Sequence, residues 1–137
     1  MLVIVSLLCC SVGVGVTEPQ VMREIYTSTV DVSRERVYRV PESQLLATKK
    51  WLPESEPPPL SITAAIAAAV KSVKTRDEAG VRVIQIDLIP TGGQDDWRWF
   101  YRIELVGNSP HKRYEVLEVL VLMDGSIVEA SSAGRSR

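Results

Sequence analysis

Residues 97–106 read WRWFYRIELV and alternate with period two: Trp97, Trp99, Tyr101, Ile103 and Leu105 share one side, Arg98, Phe100, Arg102 and Glu104 the other. A strand of this kind has one face built for burial and one that meets water. Phe100 nevertheless sets a large ring on the polar side. Upstream, 81–89 alternates in the same way, with Ile84, Ile86 and Leu88 against Gln85 and Asp87, and PTGGQDD at 90–96 supplies a turn. Downstream, 107–113 is a polar loop and 114–123 a third strand rich in Val and Leu. Asp124-Gly125 is a two-residue hairpin signal leading into 126–130, which places Val121 opposite Val128.

The apolar face of these strands needs a cover, and the segment before them provides one. Ser61 is a good N-cap, and Ile62, Ala65, Ile66, Ala69, Val70 and Val73 form one stripe at helical spacing to about Thr75. Helix followed by short-looped strands predicts an α+β domain: one amphipathic helix on an antiparallel sheet of three to four strands, the other face partly wet. Before it, 17–59 reads as an irregular segment. Within it 35–40 (ERVYRV) alternates like a short strand, 41–51 suggests a short helix, and PESEPPP at 53–59 is a stiff Pro-rich spacer at which a boundary falls. Trp51 is expected to pack on the main domain, and 133–137 form a flexible tail.

The chain has 137 residues, 45% of them hydrophobic, with 16 basic and 17 acidic side chains, which suits a single globular domain and disfavours a strongly basic nucleic-acid binder. No Lys, Arg, Asp or Glu occurs in residues 1–17. The run 1–16 (MLVIVSLLCCSVGVGV) is shorter than the roughly 18–20 residues a spanning helix needs. It reads as a secretory signal peptide, with Gly13 and Gly15 meeting the small-x-small cleavage rule, although a charged n-region is missing. An uncleaved anchor and a buried strand are the alternatives; a lipoprotein signal fits poorly, because Leu7-Leu8 precede Cys9. Export to the periplasm or beyond is therefore expected, with membrane anchoring if the leader is retained. Cys9 and Cys10 are the only cysteines, so the folded part is cysteine-free.

The helix LSITAAIAAAV from Leu60, the strand WFYRIEL from Trp99, and the closing hairpin with DGSIVEA from Asp124 together resemble the PepSY domain pattern over 60–132. The resemblance rests on fold residues; an additional Asp and Gly common in that family after the last strand are missing, and the TGGQDD loop is unusual. It implies a secreted or envelope location and a non-catalytic role in protease inhibition or local binding.

Catalytic constellations find little support in the sequence. His111 is the sole histidine, no cysteine nucleophile lies outside the leader, and there is no G-x-S-x-G elbow or P-loop. Asp87, Asp95 and Asp96 offer hard oxygen donors, but their spacing matches no EF-hand, and no metal or cofactor is expected. Glu104, Glu115 and Glu118 are placed on the wet sheet face opposite Arg98 and Arg102. The candidate contact residues are Arg98, Phe100, Arg102, Asp95, Asp96 and His111, an aromatic-plus-arginine mix suited to protein recognition. The expectation is a non-enzymatic module binding another protein, with no nucleic acid partner and no membrane in the mature form. A structural envelope protein or self-associating subunit is the alternative.

Overall fold

The computed structural model describes residues 19–31, 34–74, 80–92, 96–107 and 116–133. Residues 1–18, with the expected signal peptide and Cys9 and Cys10, residues 93–95 with Asp95, residues 108–115 with His111 and Glu115, and residues 134–137 of the expected tail lie outside them. In chain order the elements are β1 (Met22–Asp31), β2 (Arg34–Pro41), α1 (Glu42–Ala47), α2 (Ile62–Lys74), β3 (Val81–Pro90), β4 (Trp99–Gly107), β5 (Val116–Leu122), β6 (Ile127–Val128) and β7 (Ala130–Ala133).

The helix lies where the sequence places it, and its apolar stripe is buried from Ala65 to Val73, while Ile62, expected to begin the stripe, is exposed. Ser61 caps α2, its Oγ accepting from the Ala64 N–H at 3.2 Å. Ala65, Ala69 and Val73 pack on Tyr101, Ile103 and Leu105 of β4 and on Val119, Val121 and Met123. The small alanines let the helix axis approach the sheet closely. The entry to α2 is pinned by the Tyr101 hydroxyl, which donates to the Leu60 carbonyl at 2.8 Å.

The second face of that sheet overturns the expected α+β architecture of one helix on one partly wet sheet. Among the described residues there are two antiparallel sheets, β3-β4-β5-β6 and β1-β2-β7, with two short helices. The face bearing Phe100, Leu120, Leu122 and Val128 is covered by Ile25, Tyr38 and Val40 of the second sheet and by Leu45 of α1. Part of the stretch expected to be irregular is therefore regular: β1 was missed, β2 contains the short strand expected at 35–40, α1 falls within the short helix expected at 41–51, and 48–59 hold no helix or strand. The physical cause is burial. A sheet face carrying Phe and three aliphatic side chains loses roughly 25 cal/mol for each Å² left in water, and the N-terminal hairpin removes that exposure.

The closing hairpin also differs from expectation, by one residue. Leu120 faces Val128 and Val121 faces Ile127. The loop is Met123-Asp124-Gly125: the Gly125 N–H donates to the Leu122 carbonyl and the Leu122 N–H to the Ser126 carbonyl, both at 2.9 Å. Gly125 sits at φ +87°, the left-handed position such a three-residue loop requires. Because the side-chain period is two, this slip turns Val128 towards the inter-sheet core rather than towards α2. A methyl group at Gly125 would meet only a Leu60 carbon at 3.9 Å, so its cost is conformational. Gly125→Ala is expected to lower stability by about 1–2 kcal/mol, read as a shift in the urea midpoint at unchanged m-value.

The Pro-rich spacer is tied down by tryptophans. Trp51, buried as expected, donates its backbone N–H to the Trp97 carbonyl (2.8 Å) and its indole N–H to the Glu56 carbonyl (2.7 Å). Trp99 donates to the Trp51 carbonyl at 3.0 Å, and the two rings meet edge to face at 5.7 Å. Among the described residues, no helix is long and apolar enough to cross a membrane.

Candidate functional site: a charged cleft between the sheets

Along β4 the inter-sheet face changes character within two residues. Phe100 is in the apolar core; Arg102 and Glu104, next on the same side, are only partly buried. Register brings Asp87 of β3 beside Arg102 and Glu118 of β5 beside Glu104. From the other sheet, pairing of Tyr26 with Tyr38 and of Ser28 with Arg36 places those side chains opposite. The sheets thus enclose a cleft of about 370 Å³ whose lining includes Tyr26, Ser28, Arg36, Arg102, Glu104 and Glu118. That volume is in the range of small-ligand sites.

Arg102 is the hub. Its Nε and one terminal nitrogen donate to Asp87 Oδ2 at 2.9 and 2.5 Å, and its other terminal nitrogen donates to the Tyr26 hydroxyl at 2.8 Å. The guanidinium lies 5.8 Å from the Tyr26 ring centre, with Glu104 at 3.6 Å and Glu118 at 3.7 Å. Ser28 Oγ donates to Glu118 at 2.6 Å. Burial alone would lower the Arg102 pKa, but the hydrogen bonds to Asp87 and Tyr26 outweigh it and hold the group above its ordinary value. The same Arg102 hydrogen bond, aided by one from Gln85, depresses the Asp87 carboxyl. Burial first, then the Glu118 charge, raises the neighbouring Tyr38 phenol. The charged lining of the cleft is balanced, two carboxylates (Glu104, Glu118) with two guanidiniums (Arg36, Arg102), and Asp87, outside the lining, is bonded to Arg102.

The sequence-selected residues divide among three places. Arg102 enters the cleft, as do Glu104 and Glu118. Phe100, offered as a contact ring, has no exposed surface and belongs to the core. Arg98 and Asp96 pair with each other at the opposite end of the strands, where Asp96 also lies 3.5 Å from Arg23 and accepts from Thr91 at 3.2 Å. Arg98 is 8% exposed, donates to the Leu46 carbonyl at 3.3 Å, and leaves its Nε without a partner. A guanidinium so enclosed braces the fold and does not present itself to a partner. Asp87 and Asp96, considered as shared cation donors, are each committed to a different arginine. Asp95 and His111 fall outside the described residues.

Tyr26, Ser28 and Arg36 were not singled out from sequence: the first two lie in a stretch read as irregular, and the 35–40 strand, though read as alternating with Tyr38 and Val40 on one side, was not connected to the face of Arg102. The available signal was the i, i+2 spacing of Tyr26 with Ser28 and of Arg36 with Tyr38. Another feature was also missed. Trp97 does not continue the strand; it has φ +47° and an indole 44% exposed. A bulky residue in that region is strained by about 1–2 kcal/mol, and it is held there by the hydrogen bonds from Trp51 to its carbonyl and from Thr91 to that of Arg98.

Fold and cleft together define a two-sheet antiparallel β protein with one sheet backed by a helix and a polar cleft between its layers. No family model, curated protein or solved structure matches the chain.

Proposed function

We propose that the chain is an exported, non-enzymatic binding module, of binding or inhibitory type, that engages another protein through the cleft between its sheets. The observation that carries this reading is the concavity itself: side chains from two separate sheets converge on it, and its charges are bound to one another. Arg102 is already engaged by Asp87 and Tyr26, and Glu118 accepts from Ser28. Such preset charges orient an incoming polar segment at little reorganisation cost, which favours recognition. A lining of two carboxylates and two guanidiniums favours a polar partner segment that offers both donors and acceptors. The hydroxyls of Thr27, Ser28 and Thr29 line the cleft along β1 and offer hydrogen bonds beside it. The PepSY-like pattern in 60–132 supports the same non-catalytic class. Self-association by continuous edge pairing is disfavoured, because β1 and β3, the long edge strands, carry register breaks at Ile25, Val30 and Ile84.

A photo-reactive residue in place of exposed Thr29 tests the proposal in the producing cell. One discrete protein adduct is expected, and Val116→Trp should abolish it while leaving Tm unchanged, since Val116 lines the cleft and is 44% exposed. No adduct, or one indifferent to Val116→Trp, refutes cleft binding; an adduct of twice the chain's mass replaces it with self-association.

A further inference from the structure

The end of the sandwich remote from the cleft carries a cluster of exposed apolar side chains: Val21 (64%), Met22 (49%), Leu46 (55%), Leu52 (46%) and Trp97 (44%). They come from four segments that the backbone ties together. The Glu42 N–H at the start of α1 donates to the Val21 carbonyl at 2.9 Å, and Met22 pairs with Pro41. Arg98, next to Trp97, donates to the Leu46 carbonyl, and the N–H of Trp51, next to Leu52, bonds the Trp97 carbonyl. The indole is presented from a left-handed backbone position that the surrounding hydrogen bonds enforce.

What covers this end is indicated by the chain that leads into it. Residues 1–17 contain no charged side chain, and they join the described chain immediately before Glu18, Pro19, Gln20 and the most exposed of the five, Val21. The uncharged run is too short to span a hydrocarbon core of roughly 30 Å comfortably. Apolar residues followed by a surface with a Trp and aliphatic side chains match the bilayer interface, where indoles partition at headgroup level. We infer that this end of the domain docks on a lipid bilayer surface, with Trp97 and its aliphatic neighbours in the interface.

The charge around the patch makes the attachment apolar rather than electrostatic. Arg23 faces Asp96 and Lys49 faces Glu56 at 2.9 Å, and exposed Lys50 is offset in net charge by exposed Glu54 on the other side of Leu52. Docking in this sense also sets the cleft away from the membrane: Met22 and Ser28 lie on one strand, about 20 Å apart at 3.3 Å per residue. The inference stands apart from the proposed function, because it concerns the other end of the strands.

Tryptophan fluorescence of the full chain on phosphatidylcholine vesicles is the test. Trp51 is buried and Trp99 half-buried, so Trp97 is the indole that lipid can reach. With lipids brominated near the headgroup, emission should be quenched and blue-shifted, and Trp97→Phe should lose most of that quenching. Adding anionic lipid should leave the wild-type quenching unchanged. Equal emission with brominated and plain lipid overturns the inference, as does quenching that requires anionic vesicles and vanishes with salt. A concentration-dependent blue shift without vesicles, unaltered by adding them, assigns the patch to a second copy instead.

Discussion

Phe100→Ala is expected to remove about 3–5 kcal/mol of stability, the cost of emptying a fully enclosed phenyl site, and to lower Tm by on the order of 10–20 °C. The ring has no exposed surface and lies between the sheets, with Leu120 and Leu122 on its own layer and Val40 and Leu45 on the other. Tyr26 meets it edge-on at 6.0 Å. Few of these neighbours can collapse inward, because both sheets are held by their own hydrogen bonds. Phe100→Leu keeps most of the volume and should cost less than half as much. Since the ring joins the N-terminal hairpin to the rest of the chain, limited proteolysis of the alanine variant should cut within 19–59 before it cuts within 81–107. A loss below about 1 kcal/mol would show that the sheets do not rely on this contact and would return Phe100 to the surface role its sequence position suggests.

The parity of Phe100 was legible from the start: WRWFYRIELV fixes which residues share a side, and only the cover over that side was misjudged. The helix was legible because its stripe recurs for three turns without interruption. The N-terminal hairpin was harder to read for a specific reason. Register breaks in β1 fall between Glu24 and Tyr26 and between Thr29 and Asp31, so a strict alternation cannot be followed along it. Ile25 and Tyr26, adjacent in sequence, both reach the inter-sheet core. At the other end of the chain, β7 is Ala-Ser-Ser-Ala, a sequence without strand propensity that is ordered by pairing with β2. It is separated from its partner by almost the whole chain, and no local pattern encodes such a contact. The candidate site inherits this division. Arg102, Glu104 and Glu118 were placed on the wet sheet face from the sequence, and the alternation of the strand holding Arg36 was legible too, whereas Tyr26 and Ser28 belong to β1, whose register breaks hide the period.

Arg102→Met should cost about 2–3 kcal/mol at neutral pH, less than the loss typical for breaking a fully buried pair, because Arg102 and Asp87 retain some solvent contact. The methionine keeps the stem length, so packing against Tyr26 survives and the cost falls on the acids left behind. Asp87, 34% exposed, can rehydrate; Glu118, 9% exposed, cannot do so fully, and its bond from Ser28 and the nearby Tyr38 phenol do not replace the lost cation. Adding Glu118→Gln to Arg102→Met should therefore recover part of the loss, giving a coupling in the double-mutant cycle opposite in sign to simple additivity of damage. If the second substitution deepens the loss, the stranded carboxylate is not its source. Acid supplies an independent check on the Asp87 side. Its carboxyl is depressed in the fold, by Arg102 and then Gln85, relative to an unfolded value near 3.9. The stabilisation from this pair is complete above that unfolded value and is lost as pH falls through the lower, folded one. Wild-type stability should consequently decline below about pH 4, and Arg102→Met, which has lost the interaction already, should decline less over the same interval. Urea unfolding at a series of pH values reads both slopes, and parallel curves would mean that Asp87 owes its ionisation to something other than Arg102.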